Sequence, residues 1–275
     1  MTAGAAWSTL PGLAELAAEL GGPGQPIQWD ELPWPAVPAL MAATHAALIP
    51  VGATEQHGPH LPLNVDSVIT REIALAVSAT TGIPVVPTVE YGVSGSHGDF
   101  PGTLTLQPET MIMVMADLTE SLYRSGVRQY IFLNGHIWNN ASLDVTAEKL
   151  RSRHDDVRVR SIGYVTMYPG AEVDGHVRYG RALMHANYFE TSVMLYLRPD
   201  LVDMTRAVSQ PDTDSFWDYR MDQVSGSGVW GNDVAEANAA HGQAEFARCV
   251  TTTARALAAA IREPQPPRPA RISPA

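Results

Sequence analysis

The sequence predicts an α/β fold built on a doubly wound, mostly parallel sheet. Three observations carry that expectation. Residues 46–52 (AALIPVG), 83–88 and 129–133 (QYIFL) are short, continuous apolar runs of the kind that form strands buried on both faces. Segments with helical spacing separate them. Polar, Gly-rich loops follow the runs at their carboxyl ends, where ligands gather in sheets of this class.

Taken in order, residues 11–20 and 35–45 are Ala- and Leu-rich helical segments divided by Gly- and Pro-rich linkers. The strand at 46–52 stops at the loop VGATEQHGPHLPLNVD, and helical spacing resumes over 67–81. The strand expected at 83–88 leads into a second polar loop over 91–106, YGVSGSHGDFPGTLTL, and then a helix over 108–125. The strand at 129–133 ends at Asn134, Gly135 and His136; a helix over 139–153 and a strand over 157–165 follow. Residues 168–183 read as irregular, and a helix opens at HANYFETS and runs to about 197. After a long loop over 199–231 comes an Ala-rich helix over 232–262, expected to be capped by Asn232 or Asp233. The expected organisation is one α/β domain over 1–262 and a proline-rich tail over 263–275.

Composition narrows the function. A hydrophobic content of 45% with 17% charged residues fits a globular chain that buries a core. The formal net charge of −11, with no basic cluster, argues against a nucleic-acid partner. No run of eighteen apolar residues and no signal-like N-terminus occurs, so a cytoplasmic protein without a membrane partner is expected. The single Cys249 lies in a helical pattern and reads as structural. Phosphate-cradling Gly-rich motifs and a serine-hydrolase elbow are absent from the sequence, which leaves metal-assisted hydrolysis as the chemistry to examine.

The stretch from Val51 to Thr70 is where that chemistry concentrates. Glu55, His57 and Asp66 are imidazole and carboxylate donors within twelve positions, a set suited to Zn, Mn or similar divalent ions. In an extended loop Glu55 and His57, two residues apart, point the same way. His136 ends a different strand of the same sheet, and loops at one sheet edge converge although they are far apart in sequence.

Four ordered motifs, VGATEQHGPHLPLNVD, YGVSGSHGDFPGT, the NGH of Asn134 to His136, and HANYFETSVML from His185, make the chain resemble the creatininase family of metal-dependent hydrolases. The resemblance covers most of residues 46–200 and implies a three-layer α/β/α sandwich. It also implies a site for two divalent ions per chain, Zn or Mn, hydrolysis of a C–N bond in a cyclic amide or formamide by a metal-activated water, and assembly as a homohexamer or related oligomer. By the same correspondence, Glu55, His57, Asp66 and His136 match metal ligands with Asp66 in the bridging place, and His185 matches the catalytic histidine. Creatininase carries a further glutamate two positions after the NGH histidine; here that position is Trp138, and Glu190 of the ETS motif is assigned as the fifth ligand.

Ser96, His97, Trp138 and Arg181 are the candidate substrate-binding residues. Ser96 and His97 lie on the second Gly-rich loop, and an arginine at 181 would favour a polar or anionic small-molecule substrate. His60 is expected at the surface, and His45, His154, His176 and His241 are read as structural. Two function classes stay open: an amidohydrolase that is not a true creatininase, and a relative with changed chemistry, either a ring-opening or lyase-like enzyme on a cyclic ketone or a non-catalytic metal-binding scaffold.

Overall fold

The computed structural model describes residues 6–163, 185–210 and 218–264. Three parallel strands, β1 (Ala46–Val51), β2 (Gln129–Asn134) and β3 (Arg158–Gly163), form a sheet in the order β1-β2-β3. Ala46 faces Gln129 at one end of the first pair and Val51 faces Asn134 at the other, so β1 and β2 finish level at their carboxyl ends. The run at 83–88, expected as a strand, flanks β1 on its free side but joins it only through isolated parallel bridges, Leu48 to Val85 and Val51 to Val89. Pro84 and Pro87 explain the difference, because neither has an N–H to give to a ladder. The carbonyls of Pro84 and Val89 still accept from Leu48 and Gly52.

Eight α-helices surround the sheet among the described residues: α1 (Leu13–Leu20), α2 (Val37–Thr44), α3 (Val65–Thr81), α4 (Pro108–Arg124), α5 (Asn140–Arg153), α6 (Tyr188–Leu197), α7 (Met221–Val224) and α8 (Ala239–Ala260). Side chains alternate across the strands and divide the core in two. Ala46, Leu48, Ile131 and Leu133 pack with α1, α3, α6 and α8 on one face. Ala47, Ile49, Val51, Tyr130 and Phe132 pack with α2, α4 and α5 on the other. This is the expected three-layer α/β/α sandwich. Cys249 is buried on α8 in the first of these clusters, and burial pushes its thiol up to about 12, in keeping with a structural role.

Two boundaries differ from expectation. α8 starts seven residues after residue 232, with Asn238 as its cap accepting from the His241 N–H at 2.9 Å. Asp233 cannot cap it because it holds a left-handed backbone (φ 58°) ahead of a separate 3₁₀ turn. His60, expected at the surface, is buried, with its Nε2 2.9 Å from the Thr191 hydroxyl on α6. No described helix is long and apolar enough to cross a membrane.

Candidate metal centre

The carboxyl ends of β1 and β2 deliver the site. Beyond Val51 the chain passes Gly52, where a Cβ would come within 2.7 Å of the Ser67 backbone, so only glycine lets this loop lie against the first turn of α3. Glu55 and His57 follow on the loop, and Asp66 sits in that first turn, where the helix dipole favours a carboxylate. His136 follows β2. Asn139 ties the two exits together, donating to the Gly52 carbonyl at 3.0 Å and to Asn134 Oδ1 at 3.2 Å, while its own Oδ1 accepts from Val93 N–H. His185 precedes α6 and Glu190 lies in its first turn, which Asn187 caps by accepting from the Glu190 N–H.

These side chains meet in the interior. Asp66 Oδ1 is 3.3 Å from His57 Nε2, and its other oxygen, Oδ2, is 3.3 Å from His136 Nδ1. Glu55 Oε1 is 3.3 Å from His136 Nδ1, 3.6 Å from His185 Nδ1 and 3.8 Å from His97 Nε2. Glu190 Oε2 is 4.0 Å from His57 Nε2 and also accepts from the Ala186 N–H at 2.6 Å. Three overlapping sets of donors lie close enough to hold an ion: Glu55 with His57 and Asp66; His57 with His185 and Glu190; and Glu55 with His97 and His185. Both Glu55 oxygens, His57 Nε2 and Asp66 Oδ2 are buried with no hydrogen-bond partner. Orphaned buried acceptors are costly, and a cation among them would remove that cost.

The remaining ring nitrogens orient these donors. His57 Nδ1 donates to the Glu55 main-chain carbonyl at 3.1 Å and His136 Nε2 to the Val93 carbonyl at 2.9 Å. Each histidine therefore turns its other nitrogen toward Asp66, the atom that carries the lone pair once the ring is neutral, the arrangement typical of metal-binding histidines.

Protons take the place of cations when no metal is bound. Burial disfavours the His57 imidazolium, yet Asp66, Glu190 and Glu55 outweigh it and push the pKa up to about 9. Burial likewise opposes charge on His136, but Glu55 and Asp66 hold it well above the usual histidine range. Burial would raise Glu55, but His136, His97 and His185 draw it well below the carboxylate range. Burial lifts Glu190 to about 7, with Asp66 and Glu55 adding and His57 opposing. Burial, with His57 and His97, holds His185 well below the ordinary histidine value.

Zinc binding at pH 7 is therefore expected to release about two protons per chain, from His57 and His136, and affinity should fall further below pH 7 as Glu190 gains its proton. Calorimetry in two buffers of different ionisation heat measures the release. An identical heat in both would mean that these histidines are neutral before the metal arrives.

The creatininase profile, described as creatinine amidohydrolase, matches residues 30–257. The chain belongs to the creatininase family. It is 34% identical over 198 residues to the creatinine amidohydrolase of Pseudomonas putida, covering 66% of this chain and 75% of that protein. It is 31% identical over 242 residues to a mycofactocin precursor peptide peptidase of Mycobacterium tuberculosis, covering 82% of this chain and 89% of that one. A crystal structure of creatininase superposes with a TM-score of 0.74 at 29% identity, over 87% of this chain and 99% of the other. Further creatininase structures that match equally well include a Zn–Zn form and a Mn form.

The structure brings Glu55, His57, Asp66, His136, His185 and Glu190 together in one cluster. Trp138 lies in a short 3₁₀ turn and packs with Met221 and Trp230. Ser96 Oγ is buried without a hydrogen-bond partner, and His97 is buried against Glu55. Arg181 and His176 lie outside the described residues. Gln56, Ser94 and Asn139 carry no donor signal in the sequence, yet each touches the site. Gln56 sits between two ligand positions on an extended segment, where alternation turns its side chain away from Glu55 and His57. It reaches His97 and His185 instead.

Proposed function

We propose that this protein is a metal-dependent amidohydrolase that holds two divalent ions through Glu55, His57, Asp66, His136 and Glu190 and cleaves a C–N bond in a cyclic amide or formamide. One observation carries the reading: the two oxygens of Asp66 face two different histidines at equal distance, as a carboxylate shared between two ions would. Zn or Mn in such a donor set supplies Lewis acidity and makes water acidic enough to deprotonate near neutral pH. Glu55 Oε1 and Asp66 Oδ2 both face His136, while Asp66 Oδ1 and Glu190 Oε2 face His57. His185, neutral at pH 7 and buried beside Glu55, takes up a proton and delivers it to the departing nitrogen. Elemental analysis after Zn or Mn reconstitution tests the reading directly: about two ions per chain are expected, and none would overturn it.

Creatinine is expected to be a poor substrate. The position that creatininase fills with a glutamate carries Trp138, whose side chain packs with Met221 and Trp230. Assay with creatinine beside other cyclic amides decides the point, since efficient creatinine turnover would remove the objection. The Glu190 carboxylate near His57 supports it as the replacement donor.

Self-association into a homohexamer or related oligomer belongs to the same reading. Met113, Val114 and Leu118 on α4 and Val145 on α5 are large apolar side chains left exposed on the outer layer. Light scattering at micromolar concentration should report a multiple of the chain mass, and a monomer would reject the assembly.

A further inference from the structure

Gln56 is the side chain that connects two of the three histidines beside Glu55, His97 and His185. Its amide cannot be turned round, because Oε1 accepts from the Gly58 N–H at 2.9 Å while Nε2 donates to the Gly228 carbonyl at 3.0 Å. One proton of Nε2 remains. It has two neighbours, His97 Nδ1 at 2.9 Å and His185 Nε2 at 3.1 Å. His185 Nε2 is already 2.7 Å from the Gln56 main-chain carbonyl, to which only an N–H can bond, so that nitrogen is a donor and cannot accept the amide proton. The proton therefore goes to His97 Nδ1, which must be a bare lone pair. In a neutral ring the hydrogen of His97 then sits on Nε2, the atom 3.8 Å from Glu55 Oε1.

One residue thus sets the Nε2–H tautomer in two neighbouring rings, whose centroids are 4.5 Å apart, but the rings face Glu55 with opposite nitrogens. His185 turns a lone pair toward Glu55, and His97 turns an N–H. That N–H is too far from the carboxylate to be satisfied by it. We infer that His97 is a hydrogen-bond donor to the substrate oxygen rather than a metal ligand, and that Gln56 is the positioning residue that makes it so. The inference rests on the hydrolytic reading above. It adds a division of labour: His97 stabilises negative charge growing on the carbonyl oxygen, as donors aimed at a developing oxyanion do, while His185 handles the proton.

The donor assignment excludes His97 from the Glu55, His97 and His185 set as a ligand, because a protonated nitrogen has no lone pair to give. Gly228 is part of the device. It holds φ 75°, and a Cβ there would strike the Gln56 amide, so glycine at 228 is what lets the carbonyl approach.

The test uses the zinc-loaded protein with ¹⁵N-labelled histidine, with His97→Ala to assign the His97 signals. Long-range ¹H–¹⁵N spectra should show His97 with Nε2 protonated and Nδ1 bare in the wild type. In Gln56→Met, which keeps length but removes the amide, the two tautomers of His97 should mix. A His97 ring protonated at Nδ1 in the wild type overturns the inference, as does an unchanged pure Nε2–H tautomer in Gln56→Met.

Zinc content separates donor from ligand. His97→Ala should retain the wild-type zinc content, and loss of one equivalent would make His97 a ligand. Acetohydroxamate, a small carbonyl-bearing probe, should bind His97→Ala about tenfold more weakly at unchanged zinc content, and equal affinity would remove the donor role. If the wild type holds no zinc at all, the hydrolytic reading fails on its own, while the tautomer of His97 is still read in the metal-free protein.

Discussion

Asp66→Ala is expected to reduce bound metal from about two ions per chain to fewer than one, and to abolish measurable turnover. The reason is its position. One oxygen faces His57 and the other His136, so in the proposed two-ion site its removal would take a donor from both positions and leave the cations without the negative charge between them. Glu55→Ala or Glu190→Ala should each weaken one position and spare the other. The loss at Asp66 should therefore exceed the roughly 10–100-fold effect of removing a partner outside the coordination sphere. The variant should still fold, because Asp66 packs at the start of a long buried helix whose apolar face is untouched. Circular dichroism checks that, and metal content with turnover on the same preparation checks the rest. Equal, mild losses for all five donors would argue against a shared carboxylate.

The reach of the sequence over this fold follows the strength of each local signal. β1 and β2 were legible because both faces of each strand are buried, which forces a continuous apolar run. The run at 83–88 has the same hydrophobicity, yet its prolines leave only isolated bridges, a limit on pairing that hydropathy cannot see. The start of α8 was misplaced because Asn232, Asp233 and Asn238 are equally good caps in sequence, and backbone conformation at Asp233 decides between them. Donor residues were legible because imidazole and carboxylate at strand ends are a chemical signal that survives without coordinates. Gln56 was not, since an amide offers no such chemistry alone; its role exists only through the carbonyl of Gly228 and the rings of His97 and His185. His60 misled for a similar reason. A lone histidine after Pro59 reads as surface, yet Thr191 on α6 and Asp203, both far along the chain, bond it in the buried position it takes.

His185→Gln is expected to keep the fold and the metal while lowering turnover by roughly 10²–10⁴-fold, the effect of removing a general acid–base. The substitution is conservative where the structure needs it to be. Main-chain bonds at 2.9 Å in both directions between His185 and Trp230 hold the segment without the side chain, and a glutamine amide can still donate to the Gln56 carbonyl that His185 Nε2 reaches. What glutamine cannot do is take a proton at the position of Nδ1, 3.6 Å from Glu55 Oε1. Turnover should be followed on the cyclic amide or formamide that the wild type hydrolyses best, beside metal content from the same sample. Because His185 also belongs to two of the three donor sets, the paired measurement discriminates sharply. Metal lost in proportion to activity would make His185 a ligand and favour the metal-binding scaffold over the proton shuttle. Turnover unchanged at full metal content would reject its catalytic role outright, and a deep loss at full metal content would leave the proton as the thing that was removed.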